Sequence, residues 1–246
     1  MFGKNPIMKQ ELGDGNTLRV VQGSPFYTLQ GEGPYTGWPA VFIRLHGCNL
    51  RCWFCDTEFS NPDDPEWQTV RLARVAYDAA RYGFHGRADL VVITGGEPMR
   101  QNIYPLCKHL LNQGLHVQIE TAGSLWVSGL DELCGPAYGN RFKIVCSPKT
   151  PTIHEMIFKH AYCFKYVVGA DTQMQGSSIL TNTQKEGGAV RALAAPRPGA
   201  PVYISPLDEY DEAINAANRK KVGGLALAYG FIAGVQLHKL LDIVEP

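Results

Sequence analysis

Residues 41 to 57 read Val41-Phe-Ile-Arg-Leu-His-Gly-Cys-Asn-Leu-Arg-Cys-Trp-Phe-Cys-Asp-Thr57, and the rest of the chain is organised around them. An apolar run of strand character, Val41 to Leu45, leads into a loop at Gly47, where Cys48, Cys52 and Cys55 stand at C-x3-C-x2-C spacing. Soft thiolates select zinc or an iron–sulfur cluster. A structural zinc site closes a tetrahedron of four ligands, and neither a second Cys pair nor a His pair at ribbon spacing follows in the chain. Three clustered cysteines suit a [4Fe–4S] cluster with one iron left open to another ligand. A zinc knuckle that recruits His46 as its fourth ligand is the alternative reading.

Working outward, the 246 residues carry 23 basic and 23 acidic side chains and are 45% apolar, which fits one globular domain with a sizeable core. A balanced charge gives no general attraction to phosphate backbones, so the expected partner is a small molecule and not a nucleic acid. Met1 to Glu11 has no apolar signal core, and the longest apolar stretch, Val222 to Leu237, is interrupted by glycines and too short to span a bilayer. The expectation is a cytoplasmic protein without a membrane segment. Seven cysteines is an odd number, and Cys107, Cys134, Cys146 and Cys163 lie singly in apolar surroundings. They read as small core residues in a reducing compartment.

In chain order, Leu18 to Leu29 reads as extended with a turn at Ser24-Pro25. In Gln30-Gly-Glu-Gly-Pro34, glycines on both sides of Glu32 allow the backbone to approach a ligand, with a plain hairpin turn as the equal alternative. Asp64-Pro65 reads as a helix start, with Leu72, Val75, Ala76 and Ala79 at helical spacing up to Gly83. A second strand, Asp89 to Thr94, runs into Gly95-Gly96-Glu97-Pro98, and Ile103, Leu106, Cys107, Leu110 and Leu111 form one helix face ending at Gly114. Further strands are expected at His116 to Thr121, Arg141 to Ser147, Cys163 to Val168 and Pro201 to Ser205. A helix is expected from near Asp208 to Lys221, and residues 170 to 200 read as a long loop that could be mobile. Six apolar strands joined by mostly helical crossovers call for an α/β fold with a parallel sheet, a partial (β/α)6 barrel with ligands at the carboxyl ends of the strands. The polar segments obey that rule: the cysteine loop, Gly-Gly-Glu-Pro, Glu120 to Gly123, Ser147-Pro148-Lys149 and Ser205-Pro206-Leu207-Asp208 each follow a strand.

The cysteine spacing and Gly95-Gly96-Glu97-Pro98 together resemble the two signatures of the radical S-adenosylmethionine (SAM) superfamily. Thr28 to Gly33, Cys55-Asp56-Thr57, Gln236-Leu-His238-Lys239 and the final Pro246 resemble, more narrowly, the 7-carboxy-7-deazaguanine synthases, over most of the chain. That resemblance implies a lyase that contracts the ring of 6-carboxy-5,6,7,8-tetrahydropterin to 7-carboxy-7-deazaguanine with loss of ammonia, a step toward queuosine and other 7-deazapurines. It implies a [4Fe–4S] cluster, SAM regenerated at each turnover, Mg²⁺, a homodimer and a flavodoxin-type reductant. By position, Cys48, Cys52 and Cys55 would ligate the cluster and Thr57 the Mg²⁺. Phe54, Cys55, Asp56, Gly95, Gly96, Glu97, Ser147, Pro148, Lys149, Ser205, Pro206, Leu207 and Asp208 would meet SAM. Leu29, Gln30, Gly31, Glu32, Arg44, Thr94 and Pro246 would bind substrate, with Glu120 and His238 as candidate catalytic groups. The planar fork of Arg44 suits a substrate carboxylate. The tail, through Leu237, Leu240, Leu241, Ile243 and Val244, is expected to dock on the core. The whole chain, 1 to 246, then reads as a single radical SAM domain with an N-terminal substrate-binding extension over about residues 18–40 and a C-terminal tail reaching the site. The competing functions are a glycyl-radical-enzyme activase, which shares the cysteine spacing, and a non-enzymatic metal-binding module.

Overall fold

The computed structural model describes residues 5–55, 57, 67–84, 89–184 and 187–243. Its strands are β1 (Thr17–Val21), β2 (Phe26–Leu29), β3 (Pro39–Leu45), β4 (Trp67–Arg71), β5 (Leu90–Gly95), β6 (His116–Thr121), β7 (Phe142–Cys146), β8 (Cys163–Val168), β9 (Gln173–Gln175), β10 (Ser178–Thr181), β11 (Arg191–Ala192), β12 (Val202–Pro206) and β13 (Ile232–Ala233). The α-helices are α1 (Leu72–Phe84), α2 (Tyr104–Asn112), α3 (Leu130–Leu133), α4 (Glu155–His160), α5 (Glu212–Tyr229) and α6 (Leu237–Leu240). Six strands, β3, β5, β6, β7, β8 and β12, run parallel in that order, each beside its successor. The open arc ends on β13 at one edge and on antiparallel β1 and β4 at the other, so the expected partial (β/α)6 barrel is what forms. None of the described helices is long and apolar enough to cross a membrane.

Period-two alternation sets the two faces of this arc. Val41, Ile43, Val91, Ile93, Val117, Ile119, Phe164 and Tyr166 pack outward, in one core with Val75, Ala76 and Ala79 of α1, Leu106 and Leu110 of α2, Ile157 of α4 and Val222 of α5. Inside, Phe42, Leu90 and Val92 close the lower end with Phe26, Tyr35 and Ala40, while the upper inward positions carry Arg44, Thr94, Glu120 and Lys165, all lining one cavity. Cys107, Cys146 and Cys163 are buried, as expected of small core residues, and Cys134 is half-buried.

The structure corrects several expectations. Asp64 and Pro65 lie outside the described residues, and Trp67–Arg71 is a strand, so α1 starts only at Leu72. The reason is tertiary: the five residues of β4 complete the open hydrogen-bonding edge of β1, from Thr17 opposite Arg71 to Val21 opposite Trp67. Residues 170–200 are not one loop, because β9, β10 and β11 form a separate three-stranded antiparallel sheet. The crossover from β8 to β12 is therefore a small sheet where a long loop was expected. The helix expected from near Asp208 to Lys221 is α5, which starts at Glu212 and reaches Tyr229. Asp211 caps α5 by accepting from the Ala213 and Ile214 N–H groups, and Gly230 ends it in the left-handed region at φ 69°. Of the apolar residues expected to dock the tail, Leu237 and Ile243 are half-buried, Leu240 and Leu241 are exposed, and Val244 lies outside the described residues. Polar contacts help hold α6: Leu237 N–H donates to the Gly31 carbonyl at 3.2 Å, and Lys239 pairs with Asp208.

Candidate active site

Among its described residues the loop that leaves β3 forms no helix or strand, and it is held from two sides. From one side Met8 N–H donates to the Cys48 carbonyl at 2.8 Å, and Asn5 reaches the Thr57 carbonyl at 2.7 Å. From the other, Trp53 donates through Nε1 to the Asn182 carbonyl at 2.9 Å and through its backbone N–H to the Thr183 carbonyl at 3.2 Å. Asn5 Nδ2 lies 3.6 Å from Cys55 Sγ, and Gln184 Nε2 lies 3.5 Å from Cys52 Sγ. Amide donors aimed at sulfur are what a thiolate-ligated cluster uses to stabilise its charge. Burial pushes the Cys48 thiol up to about 12 and raises Cys52, so a metal binding here must displace protons. Among the described residues no three His, Cys, Asp or Glu side chains close around one ion-sized point. The zinc knuckle with His46 has no such geometry, whereas a cubane takes one thiolate on each of three separate irons and does not need them to converge.

The second signature packs directly on this loop. Gly96 N–H donates to the Leu45 carbonyl at 2.9 Å and Glu97 N–H to the Gly47 carbonyl at 3.0 Å. The approach is so close that a Cβ on Gly96 would stand 1.9 Å from the Gly47 carbonyl oxygen. The Glu97 carboxylate takes Thr121 Oγ1 at 2.7 Å, Ala122 N–H at 2.8 Å and Met99 N–H at 3.1 Å. Burial nevertheless raises its pKa, against those three donors and Lys149. Lys149 donates to the Ser147 carbonyl at 3.0 Å, and burial lowers its pKa although Cys52 pulls the other way.

A cavity of about 300 Å³ joins these parts to the N-terminal extension. On one side it is lined by Cys48, Cys52, Phe54, Cys55, Thr57, Gly95, Gly96, Glu97, Ser147, Lys149, Pro206, Leu207 and Asp208, and on the other by Gln30, Gly31, Glu32, Arg44, Thr94, Glu120 and His238. Gln30 and Glu32 sit in a hairpin loop, between antiparallel β2 and β3, and also face the cavity, so the two readings of that segment hold together. The β3–β5 register sets Arg44 beside Thr94, and the Arg44 guanidinium carbon lies 4.8 Å above the Phe26 ring. A Cβ on Gly31 would stand 2.2 Å from His238 Nδ1, so glycine is what admits His238. Leu29, Pro148 and Ser205 are near the site but off its lining: Leu29 ends β2 opposite Pro39, and Ser205 is buried behind Glu32. Asp56 and Pro246 fall outside the described residues.

Lys165 is the site residue that sequence reasoning missed. Its Nζ lies 2.7 Å from Glu32 Oε2 and 3.3 Å from Glu120 Oε2, and the only signal was one lysine inside the apolar strand Cys163–Val168.

Residues 42–136 match the radical SAM superfamily. A 7-carboxy-7-deazaguanine synthase of Rhodospirillum rubrum is 41% identical over 99% of this chain and 100% of its own. One of Rickettsia prowazekii is 34% identical over 99% of this chain and 96% of its own. In fold, the crystal structure of QueE from Escherichia coli superposes with a TM-score of 0.60 at 23% identity, over 89% of this chain and 93% of that one.

Proposed function

The chain belongs to the 7-carboxy-7-deazaguanine synthase family of radical SAM enzymes, and from that premise we propose how its residues divide the work of contracting 6-carboxy-5,6,7,8-tetrahydropterin to 7-carboxy-7-deazaguanine. The observation that carries the reading is a single cavity that joins the three cysteines of the β3 loop to the Gln30–Glu32 hairpin, Arg44, Glu120 and His238. A glycyl-radical activase acts on a protein chain and has no use for that hairpin. When bound, the cluster and SAM supply the one-electron radical chemistry. The protein positions and excludes water: Cys48, Cys52 and Cys55 hold the cluster, while Gly95 to Glu97, Ser147 to Lys149 and Pro206 to Asp208 cradle SAM. Arg44 takes the substrate carboxylate in a two-point bond, and Glu32, Glu120, Gln30 and His238 hold the ring. Anaerobic incubation with the tetrahydropterin, SAM and a reductant tests the assignment; 7-carboxy-7-deazaguanine formed with SAM unconsumed supports it, and no product from a protein with full iron content defeats it.

The domain reading follows: one radical SAM domain whose extension over about residues 18–40 and C-terminal tail meet over the cavity, as Gly31, Leu237 and His238 do. Seven free cysteines and an oxygen-labile cluster support a cytoplasmic location, and the family likeness supports a flavodoxin-type reductant. The family likeness supports a homodimer, and Leu227, Tyr229, Ile232, Val235, Leu240 and Leu241, which are apolar and exposed, are its candidate contact residues. Sedimentation at micromolar concentration should give twice the chain mass, and Leu227→Glu with Leu240→Glu should give monomer; a wild-type monomer refutes the pairing.

Mg²⁺ is proposed at Thr57, which lines the cavity. Mg²⁺ keeps several waters and needs few protein groups when a substrate carboxylate completes its shell. Chelator-treated enzyme should lose turnover by on the order of 10–100-fold and regain it with Mg²⁺, and Thr57→Ala should lose the Mg²⁺ response while keeping its iron. Turnover indifferent to Mg²⁺ removes the ion from the site.

A further inference from the structure

We propose that Lys165 is the positioning residue of the substrate pocket, its ammonium pinning the Glu32 and Glu120 carboxylates as a paired acceptor for the N–H-rich edge of the substrate. Three elements distant in sequence meet at this one nitrogen. Glu32 comes from the N-terminal hairpin, 133 positions away, and Glu120 from β6, 45 positions away. Lys165 itself stands on the inner face of β8, with Phe164 and Tyr166 turned into the outer core, and its side chain is 8% exposed. The other Glu120 oxygen accepts from Gln30 and Gln118, each at 2.9 Å. Both carboxylates are thus fixed before a ligand arrives.

The charges decide what such a site accepts. Two carboxylates oppose one ammonium, and the further titratable groups facing them are His238 across Glu32 and Lys149 and Cys163 near Lys165. Burial alone pushes a lysine toward neutrality, yet the charges of Glu120 and Glu32 outweigh it and hold Lys165 well above its ordinary value. Burial likewise pushes the Glu32 carboxyl up, and Lys165, with help from the charge of His238, holds it below the usual carboxylate value. An ammonium held so firmly does not release its proton near neutrality. Lys165 therefore acts through the carboxylates and not as an acid or base. A carboxylate with a spare acceptor position matches two adjacent N–H donors, such as the guanidine-like edge of a pterin.

This inference rests on the pterin assignment, and wild-type turnover tests that assignment separately. Lys165→Met leaves two buried carboxylates facing each other, so they share a proton near neutral pH. The substrate KM should rise by roughly 10–100-fold, the range for loss of a buried polar partner of a binding group. The sign of the pH effect follows: wild-type kcat/KM is flat where Glu32 stays ionised, and the variant's climbs with pH as the shared proton leaves. Iron content and SAM affinity should match wild type. If Lys165→Met does not fold, Lys165→Met/Glu32→Gln removes one of the two opposed carboxylates and leaves no proton to be shared between them; it should bind substrate as weakly but with a weaker pH dependence. Wild-type KM and pH profile in either variant overturns the proposal. So does the unaltered enzyme, if its substrate Kd shows a carboxylate ionisation near neutrality that Glu32→Gln abolishes.

Discussion

Replacing Cys48, Cys52 or Cys55 by Ala strips the protein of iron and sulfide and abolishes turnover, whereas Cys107→Ala leaves both intact. A [4Fe–4S] cubane with three protein thiolates already has one iron without a protein ligand, and two thiolates do not retain it. Each of the three is irreplaceable for a geometric reason as well. Cys48 is fixed by the Met8 contact, Cys52 faces Gln184, and Cys55 faces Asn5, so no neighbouring cysteine moves in to substitute. Cys107 is wholly buried on α2 among apolar side chains, and its loss costs about 1 kcal/mol of stability, as ordinary core truncations of this size do. Iron and sulfide assays on anaerobically reconstituted protein separate the two cases. Full occupancy in Cys52→Ala would falsify the ligand assignment.

What could be read from the sequence was whatever a local pattern determines. The parallel strands are runs of β-branched and aromatic residues, and the polar motifs follow their carboxyl ends because only there does a parallel sheet leave backbone and side chains open to a ligand. In His-Val-Gln-Ile-Glu-Thr, the alternation of Val117 and Ile119 with Gln118 and Glu120 already divides outer face from inner. Lys165 was illegible because its meaning lies in partners 45 and 133 positions away; alone in Cys-Phe-Lys-Tyr-Val-Val it reads as an interruption. Asn5 and Gln184 were illegible for the same reason, since their contacts with sulfur depend on how remote segments drape over the cysteine loop.

Two misreadings have a common cause. By local pattern Trp67–Arg71 reads as part of the helix that follows and β9 to β11 read as loop, because a short antiparallel strand is decided by the edge it pairs with more than by its own residues. For β4 that edge is β1; for β9 and β11 it is β10. The small sheet has a functional consequence, because the turn after β10 delivers Asn182, Thr183 and Gln184 to the cysteine loop and to Lys149, whose carbonyl accepts from Thr183 Oγ1 at 2.6 Å.

Gly96→Ala should weaken SAM binding at least tenfold and lower the melting temperature. The added Cβ would lie 1.9 Å from the Gly47 carbonyl oxygen, 2.5 Å from its carbon and 3.1 Å from Cys48 N, all backbone atoms that cannot rotate away. To relieve the clash the Gly-Gly-Glu loop must withdraw from the cysteine loop, which breaks the 3.0 Å bond from Glu97 N–H to the same carbonyl. Overpacking costs about 1–3 kcal/mol, and a buried hydrogen bond left unmade costs about as much again. At about 2–4 °C per kcal/mol for a chain of this size, the melting temperature falls by roughly 5–15 °C. The larger effect is expected on function, because in the proposed assignment that loop and Cys48 would together hold SAM beside the cluster, and a displacement of about 1 Å is enough to cost two orders of magnitude in rate. Gly114→Ala is the matched control: Gly114 also follows a structural element, at φ +90°, but a Cβ there meets nothing within 4 Å. It should lose about 1 kcal/mol from left-handed strain and bind SAM normally. SAM titrations of both reconstituted variants decide the matter, and wild-type affinity in Gly96→Ala means that the contact between the two loops does not set the cofactor's place.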